Sequence, residues 1–267
     1  MTTTQQYALV TGGTSGIGYE LAKLLAADGY NLIIVARSQE ELNKTANDLS
    51  NQFGVKVMPI PMDLFEPGAA FEIHDYVKSK GLQLDVLVND AGQGQYGKFI
   101  DTDIKRELDI IQLNICSLVV LTKLFLKDMV MSGSGKILNL SSIAGKVPGP
   151  FQSVYHGTKA FVQSFTEAVR EEVKDTGVTL TALLPGVTNT DFFSKADMLE
   201  SKAVQDEDDM ADPADVAKDG YEAMKNGDDM VVSGFKNKVQ VAMSAVTPDS
   251  TLAKRMEKMQ EPVEKEK

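Results

Sequence analysis

Tyr7-Ala8-Leu9-Val10-Thr11-Gly12-Gly13-Thr14-Ser15-Gly16-Ile17-Gly18 is the stretch from which the fold follows. Tyr7–Val10 reads as a short buried strand, and an amphipathic helix with apolar positions at Leu21, Leu24 and Leu25 comes directly after the glycines. Strand, glycine turn and helix start, in that order, form a site for a diphosphate. The glycines let the backbone approach closely, and the helix start offers free N–H groups with a partial positive charge. Gly12, Gly16 and Gly18 are spaced wider than the common Gly-x-Gly-x-x-Gly fingerprint, and the Lys of a phosphate-loop NTPase is lacking.

The same alternation continues down the chain. Strands are predicted at Asn31–Ala36, Lys56–Pro61, Val86–Asn89, Lys136–Leu140, Thr179–Leu184 and Met230–Val232. Helices are predicted between them at Gln39–Phe53, about Pro67–Lys80, roughly Asp101–Ser132 and about Tyr155–Lys174, with another opening at Asp212-Pro213. Short apolar strands alternating with helices predict an α/β fold, a parallel sheet covered on both faces. Ligands of such sheets bind outside the carboxyl ends of the strands.

Several residues fall at those ends. Arg37 follows the second strand, where a carboxylate would bond the ribose hydroxyls of NAD; an Arg suits the 2′-phosphate of NADP, or is a solvated strand-end side chain. Asp63, with Leu64 after it, either accepts a bond from an adenine amino group or caps the next turn. Asn89-Asp90-Ala91-Gly92 is a turn of small residues against which a cofactor can lie. Pro185-Gly186-Val187-Thr188-Asn189-Thr190 closes the sixth strand.

The reactive groups lie between Ser142 and Lys159. Tyr155 and Lys159 are four apart on a predicted helix and so share a face. An ammonium beside a phenol lowers a pKa that is about 10 when unperturbed, which fits the phenol for proton transfer near neutrality. Ser142, at the end of a buried strand, can bring a hydroxyl to that phenol. Tyr-x-x-x-Lys alone also occurs by chance in many helices.

The bulk properties bound the class. The 267 residues suit a single α/β domain, and a net charge of −11 argues against nucleic-acid binding. Cys116, the single cysteine, cannot form an internal disulfide and is expected to be a small buried side chain in the apolar run Leu113–Leu126. His74 and His156 are too few to suggest a metal site, so no metal is expected. Tyr7–Val10 is too short for a signal peptide, and Ile110–Leu126, interrupted by Asn114 and Lys123, is too short for a membrane span; a soluble, cytoplasmic protein is expected. The domain is predicted over 1–235, with a substrate lid at about 190–212 that contains the acidic run Asp206–Asp209. Residues 236–267 are read as a helical extension packed on this domain or on a neighbouring subunit.

Taken together, Thr11-Gly12-x-x-x-Gly16-x-Gly18, Asn89-Asp90-Ala91-Gly92, Asn114, Ser142, Tyr155-x-x-x-Lys159 and Pro185-Gly186 resemble the short-chain dehydrogenase/reductase family, in the family's order, over about Tyr7–Val232. The resemblance implies a Rossmann-type doubly wound sheet of about seven parallel strands and a nicotinamide cofactor, with NADP(H) favoured through Arg37. It implies Asn114, Ser142, Tyr155 and Lys159 as catalytic residues. Cofactor contacts are implied at Gly12, Thr14, Ser15, Gly16, Ile17, Gly18, Arg37, Asp63, Leu64, Asn89, Ala91, Gly92, Tyr155, Lys159, Pro185, Gly186, Val187, Thr188 and Thr190. Ser142 is preferred to Ser141 by its distance from Tyr155. In the implied mechanism Ser142 holds a carbonyl oxygen, Tyr155 protonates it, Lys159 lowers the phenol pKa and bonds the nicotinamide ribose, and Asn114 holds a water that relays protons.

The family usually has Asn at the position of Asp90, which bears on the hydrogen bonds of that turn. A small-molecule carbonyl or alcohol substrate and a homodimer or homotetramer are implied. A silent NADPH-binding regulator is the alternative.

Overall fold

The structure, a computed structural model, describes residues 5–206 and 210–263. Strands β1 (Tyr7–Thr11), β2 (Asn31–Ala36), β3 (Val57–Pro61), β4 (Val86–Asn89), β5 (Gly135–Leu140), β6 (Val178–Leu184) and β7 (Met230–Val232) form one sheet in the order β3-β2-β1-β4-β5-β6-β7. Every neighbouring pair is parallel, with Thr11 opposite Val35 on one side and Asn89 on the other. The order runs outward from β1 and β4 in opposite directions, so a crevice opens between their carboxyl ends. This is the Rossmann-type architecture, in a single domain.

The helices are α1 (Gly16–Ala27), α2 (Gln39–Phe53), α3 (Ala69–Ser79), α4 (Ile104–Ile111), α5 (Leu118–Ser132), α6 (Ser153–Glu172), α7 (Phe192–Lys195), α8 (Pro213–Asn226), α9 (Phe235–Ser244) and α10 (Asp249–Gln260). Strand side chains alternate between two cores. Ala8 and Val10 pack with Leu21 and Leu25 of α1, Leu42 of α2 and Val216 of α8. Leu9 and Ile33 pack on the opposite face with Ile73 of α3 and Leu121, Phe125 and Met129 of α5. Burial on both faces is why these strands read as continuous apolar runs rather than as an alternating pattern.

Local chemistry sets the ends. Asp212 caps α8, its carboxylate accepting the Ala214 N–H at 2.8 Å, with Pro213 at the first helical position. Ser38 caps α2 by accepting from the Glu41 N–H at 3.2 Å. The predicted helix Asp101–Ser132 starts at Ile104, because Asp103 is its cap and accepts the Lys105 N–H at 3.0 Å. It is also interrupted by a π-helical segment, Gln112–Ser117. That segment turns Leu113, Asn114 and Ser117 inward and leaves Cys116 exposed, so the expectation of a buried cysteine is overturned.

By length and composition Ile104–Ser132 would suffice to cross a membrane, contrary to the sequence reading. Here part of its apolar face belongs to the core, with Phe125 and Met129 buried against the sheet, while Ile104, Leu108 and Met131 are exposed.

A buried polar ladder crosses the sheet near the site. The Asn89 amide donates to Thr122 at 3.1 Å and to Asn139 at 2.8 Å, and the Asn139 amide donates to Thr166 at 3.0 Å. It joins β4 and β5 to α5 and α6. Asn139→Ala removes one partner from each neighbour, leaving groups that water cannot reach. The expected cost is roughly 2–3 kcal/mol, read as a lower urea midpoint at unchanged slope.

Candidate active site

A cleft of ≈ 1300 Å³ runs along the carboxyl ends of the strands. Its phosphate-sized end is made by β1, the glycine turn and α1. Gly12 and Gly16 have φ of +71° and +56°, which favour glycine. Ser15 caps α1 without a side-chain hydrogen bond, leaving N–H groups of the first turn open to a ligand. These features suit the diphosphate of a nicotinamide dinucleotide. A Cβ on Gly18 would stand 2.6 Å from the Gly12 carbonyl oxygen, so this position tolerates only glycine in the present packing.

Along the cleft wall lie Gly12, Thr14, Ser15, Gly16, Ile17, Arg37, Asp63, Leu64, Ala91, Gly92, Pro185, Gly186, Val187, Thr188 and Thr190. Gly18 and Asn89 stand behind that wall, the first under the glycine turn and the second in the polar ladder. Arg37 is exposed and lies 5.5 Å from the Phe65 ring, with Arg106 5.2 Å from the same ring. Asp63 accepts the Phe65 N–H at 3.1 Å, the turn-capping alternative of the sequence reading.

Ser142, Tyr155 and Lys159 meet further along the same cleft. Lys159, 6% exposed, donates to the Leu140 carbonyl at 2.8 Å, and the Ser141 hydroxyl donates to the Lys159 carbonyl at 2.7 Å. Ser141 is thus occupied in pinning α6 to the end of β5, while the Ser142 hydroxyl accepts the Ala144 N–H at 3.1 Å, donates to the Pro185 carbonyl at 3.3 Å and lies against the Tyr155 phenol, whose acidity it raises. Burial pushes the Tyr155 phenol up to about 12, with the Ser142 bond pulling the other way. The expected lowering by Lys159 does not govern it: the ammonium stands 5.7 Å from the ring centre, and burial pushes Lys159 itself down to about 8, opposed by the charge of Asp90.

Asn114 sits outside the cleft wall, 2% exposed within the π-helical segment. Its amide donates to the Gln93 carbonyl at 2.9 Å and to Thr158 at 3.0 Å, and its oxygen accepts the Gln93 N–H at 3.0 Å. It therefore fixes the loop after Gly92 against α6. A Cβ on Gly92 would lie 3.3 Å from the Asn114 oxygen and 3.4 Å from the Lys159 ammonium, so the glycine leaves a gap bordered by both.

The Asp90 substitution leaves the turn intact. The backbone N–H groups of Asp90 and Ala91 both donate to Thr11 at 3.1 Å, and Asn89 carries the cross-strand bonds. Burial pushes the Asp90 carboxyl up to about 7, opposed by Lys159 and by the Gly18 N–H.

The far wall comes from the segment after β6, read from the sequence as a substrate lid, and from α10 of the C-terminal extension, whose part in the site the sequence left open. Phe192, Phe193, Met198 and Met210 of the segment after β6 face Met256 and Met259 of α10. The end of α10 is tied down: Gln260 donates to His156 at 3.3 Å, its carbonyl accepts from Ser201 at 3.1 Å and from the Tyr96 hydroxyl, and Val263 donates to the Glu200 carbonyl at 2.8 Å. Residues 207–209 of the acidic run lie outside the described residues. Gln152, three residues before Tyr155, is 5% exposed, and its amide nitrogen has no partner among the described residues.

A protein-family model described as short chain dehydrogenase matches residues 6–200. The chain is a short-chain dehydrogenase/reductase. The very-long-chain 3-oxoacyl-CoA reductase of Mus musculus is 34% identical to it over 194 residues, 69% of this chain and 60% of that protein. The dehydrogenase/reductase SDR family member 7B of Danio rerio is 29% identical over 254 residues, 90% of this chain and 81% of that one. The chain thus aligns with about three-fifths of the mouse reductase's length. Among solved structures, the short-chain dehydrogenase from Sphingobium yanoikuyae in complex with NADPH superposes with a TM-score of 0.81 at 25% identity, covering 90% of this chain and 93% of that one.

His156 gives a pH prediction. Burial lowers its pKa below 6.5, and its ring is held neutral between the Val147 carbonyl at 2.8 Å and Gln260. As pH falls through 6.5 the unfolded chain takes up this proton before the folded one, so stability is lost on acidification. The loss of urea midpoint between neutral and mildly acid pH is expected to shrink in His156→Asn.

Proposed function

We propose that this short-chain dehydrogenase is an NADP(H)-dependent reductase of a carbonyl carried on a long apolar chain. The observation that carries the reading is the meeting of Ser142, Tyr155 and Lys159 in the cleft that the glycine turn opens. When bound, the dinucleotide supplies the hydride. Ser142 holds the carbonyl oxygen by a hydrogen bond, and Tyr155 gives it a proton. Lys159, held by the Leu140 carbonyl, would hold the ribose of the bound cofactor, and its ammonium would return a proton to the Tyr155 phenolate, taking one from solvent in turn. Asn114 positions the Gln93 backbone against α6 beside Lys159.

Arg37 supports NADP(H), because the strand end at Ala36 carries a guanidinium in the cleft and no carboxylate directly after it. The wall of Phe192, Phe193, Met198, Met256 and Met259 supports an apolar chain; thioether side chains adapt to flexible ligands. A 3-oxoacyl thioester, the substrate class in the name of the mouse relative, combines such a chain with a second oxygen. The buried Gln152 amide, packed near Tyr155 and Phe192 around Gly94, suits that oxygen. Exposed Ile104, Leu108 and Phe161 on α4 and α6 offer an apolar surface for a homodimer or homotetramer; light scattering of a monomer would discard that assembly.

Two variants test the reading. Tyr155→Phe keeps the ring and removes the proton, so kcat/KM for a 3-oxoacyl thioester is expected to fall roughly 10²–10⁴-fold; near-wild-type turnover would sink the proposed proton donor. Arg37→Glu is expected to raise KM for NADPH about 10–100-fold, the loss of a charged hydrogen bond, and to leave KM for NADH nearly unchanged. Equal effects on both cofactors would remove Arg37 from 2′-phosphate recognition.

A further inference from the structure

Asp90 puts a carboxylate, with Lys159 as its charged neighbour, where the hydrogen bonds of the turn do not require one. Its carboxylate is wedged under the dinucleotide turn: Oδ2 lies 2.4 Å from the point a Cβ on Gly18 would occupy and 2.9 Å from that on Gly12. It accepts the Gly18 N–H, one of the open donors of the α1 N-terminus. The bonds that hold the turn are made by Thr11 and Asn89 instead. An Asn side chain would accept the same N–H without charge. A diphosphate bound at α1 brings negative charge to the helix end that Asp90 already shares.

We propose that Asp90 links dinucleotide binding to proton uptake: the carboxylate is protonated as the diphosphate settles on the α1 N-terminus and is ionised again when it leaves. The proton comes from solvent, and no bond to the cofactor is involved.

The surroundings favour such a linkage. From α6, Lys159 is the charged side chain that acts on Asp90, and the two groups shift each other toward their charged forms against burial. From α1 the backbone N–H of Gly18 faces it, and the Thr11 hydroxyl of β1 is taken by the backbone N–H groups of residues 90 and 91. Tyr155 stands beyond Lys159, and His156 is turned away toward Val147 and Gln260. With its acidity already moved to about 7, the Asp90 carboxyl needs little added negative charge to hold a proton under mildly alkaline conditions. The sign follows: below that range the carboxyl is protonated before binding and nothing is taken up, whereas between it and the higher pKa in the complex each bound dinucleotide brings a proton with it. Affinity then weakens about tenfold per pH unit on the alkaline side.

The experiment is calorimetric titration of NADH, and separately of NADPH, into the whole protein at about pH 8 in two buffers of different ionisation heat. Wild-type protein is expected to take up close to one proton per dinucleotide, and Asp90→Asn correspondingly less, with the 2′-phosphate contribution cancelling in the comparison. The variant is also expected to hold NADH with an affinity that no longer falls from neutral to alkaline pH. Infrared difference spectra of the wild type alone, showing a protonated-carboxyl band on binding, read the same event without any substitution. No proton uptake by the wild type, or equal uptake by Asp90→Asn, would overturn the proposal. Because both cofactors are titrated and no substrate is needed, the outcome is independent of whether NADP(H) and a long-chain carbonyl are the right partners.

Discussion

The buried ammonium of Lys159 constrains the site more than any other group. An ammonium withdrawn from water destabilises the fold unless it is matched by acceptors and opposite charge. The carbonyl of Leu140 supplies the first and Asp90 the second. Both lie at carboxyl ends of neighbouring central strands, so the requirement to satisfy Lys159 fixes where α6 begins relative to the sheet. The Ser141 hydroxyl repeats the constraint by bonding the Lys159 carbonyl. Residues 140–142 thus anchor α6 and also present the Ser142 hydroxyl to Tyr155. Helix placement and reactive geometry share one short piece of backbone, which is why the reactive groups can be rigid although the far wall of the cleft is built from loops.

Much of this was legible in the sequence because it is local. The glycine turn needs positive φ at Gly12 and Gly16, and only a few residue types permit that. Double-sided burial of a parallel strand leaves an apolar run, and the cap at Asp212 is read from Pro213 beside it. Tyr155 and Lys159 are adjacent by helical spacing alone. Each of these features is written within one element.

The features that escaped depend on the partner an element meets. Cys116 lies in an apolar run, yet the π-helical segment turns it outward and brings Asn114 in; nothing in Gln112–Ser117 marks the extra residue per turn. The bond between His156 and Gln260 joins residues 104 apart, beyond any periodicity. Arg106 gave no signal because its stacking on Phe65 arises only when α4 crosses the β3 end. The acidity of Tyr155 escapes the sequence for a related reason: spacing places an ammonium near the ring, but only the packed structure reveals that burial outweighs it.

The distribution of charge along the cleft completes the account. A protein of net charge −11 must draw an anionic dinucleotide against its own average field. Its positive groups in the cleft are not equivalent. Lys159, at the reacting end, is balanced by Asp90, so its field is largely spent locally. At the β2–β3 end, Arg37 and Arg106 flank a single aromatic ring, and the exposed position of Arg37 leaves its charge directed into the mouth of the cleft. The N-terminus of α1 lies between these two regions and is partly answered by Asp90. Glu41 and Asp63 line the cleft beside Arg37, so the charge at that end is mixed rather than uniformly positive. On the function proposed above, the 2′-phosphate of NADP(H) would meet Arg37 at an end that also carries carboxylates, so its recognition there depends on direct pairing with the guanidinium rather than on the mean field of the cleft.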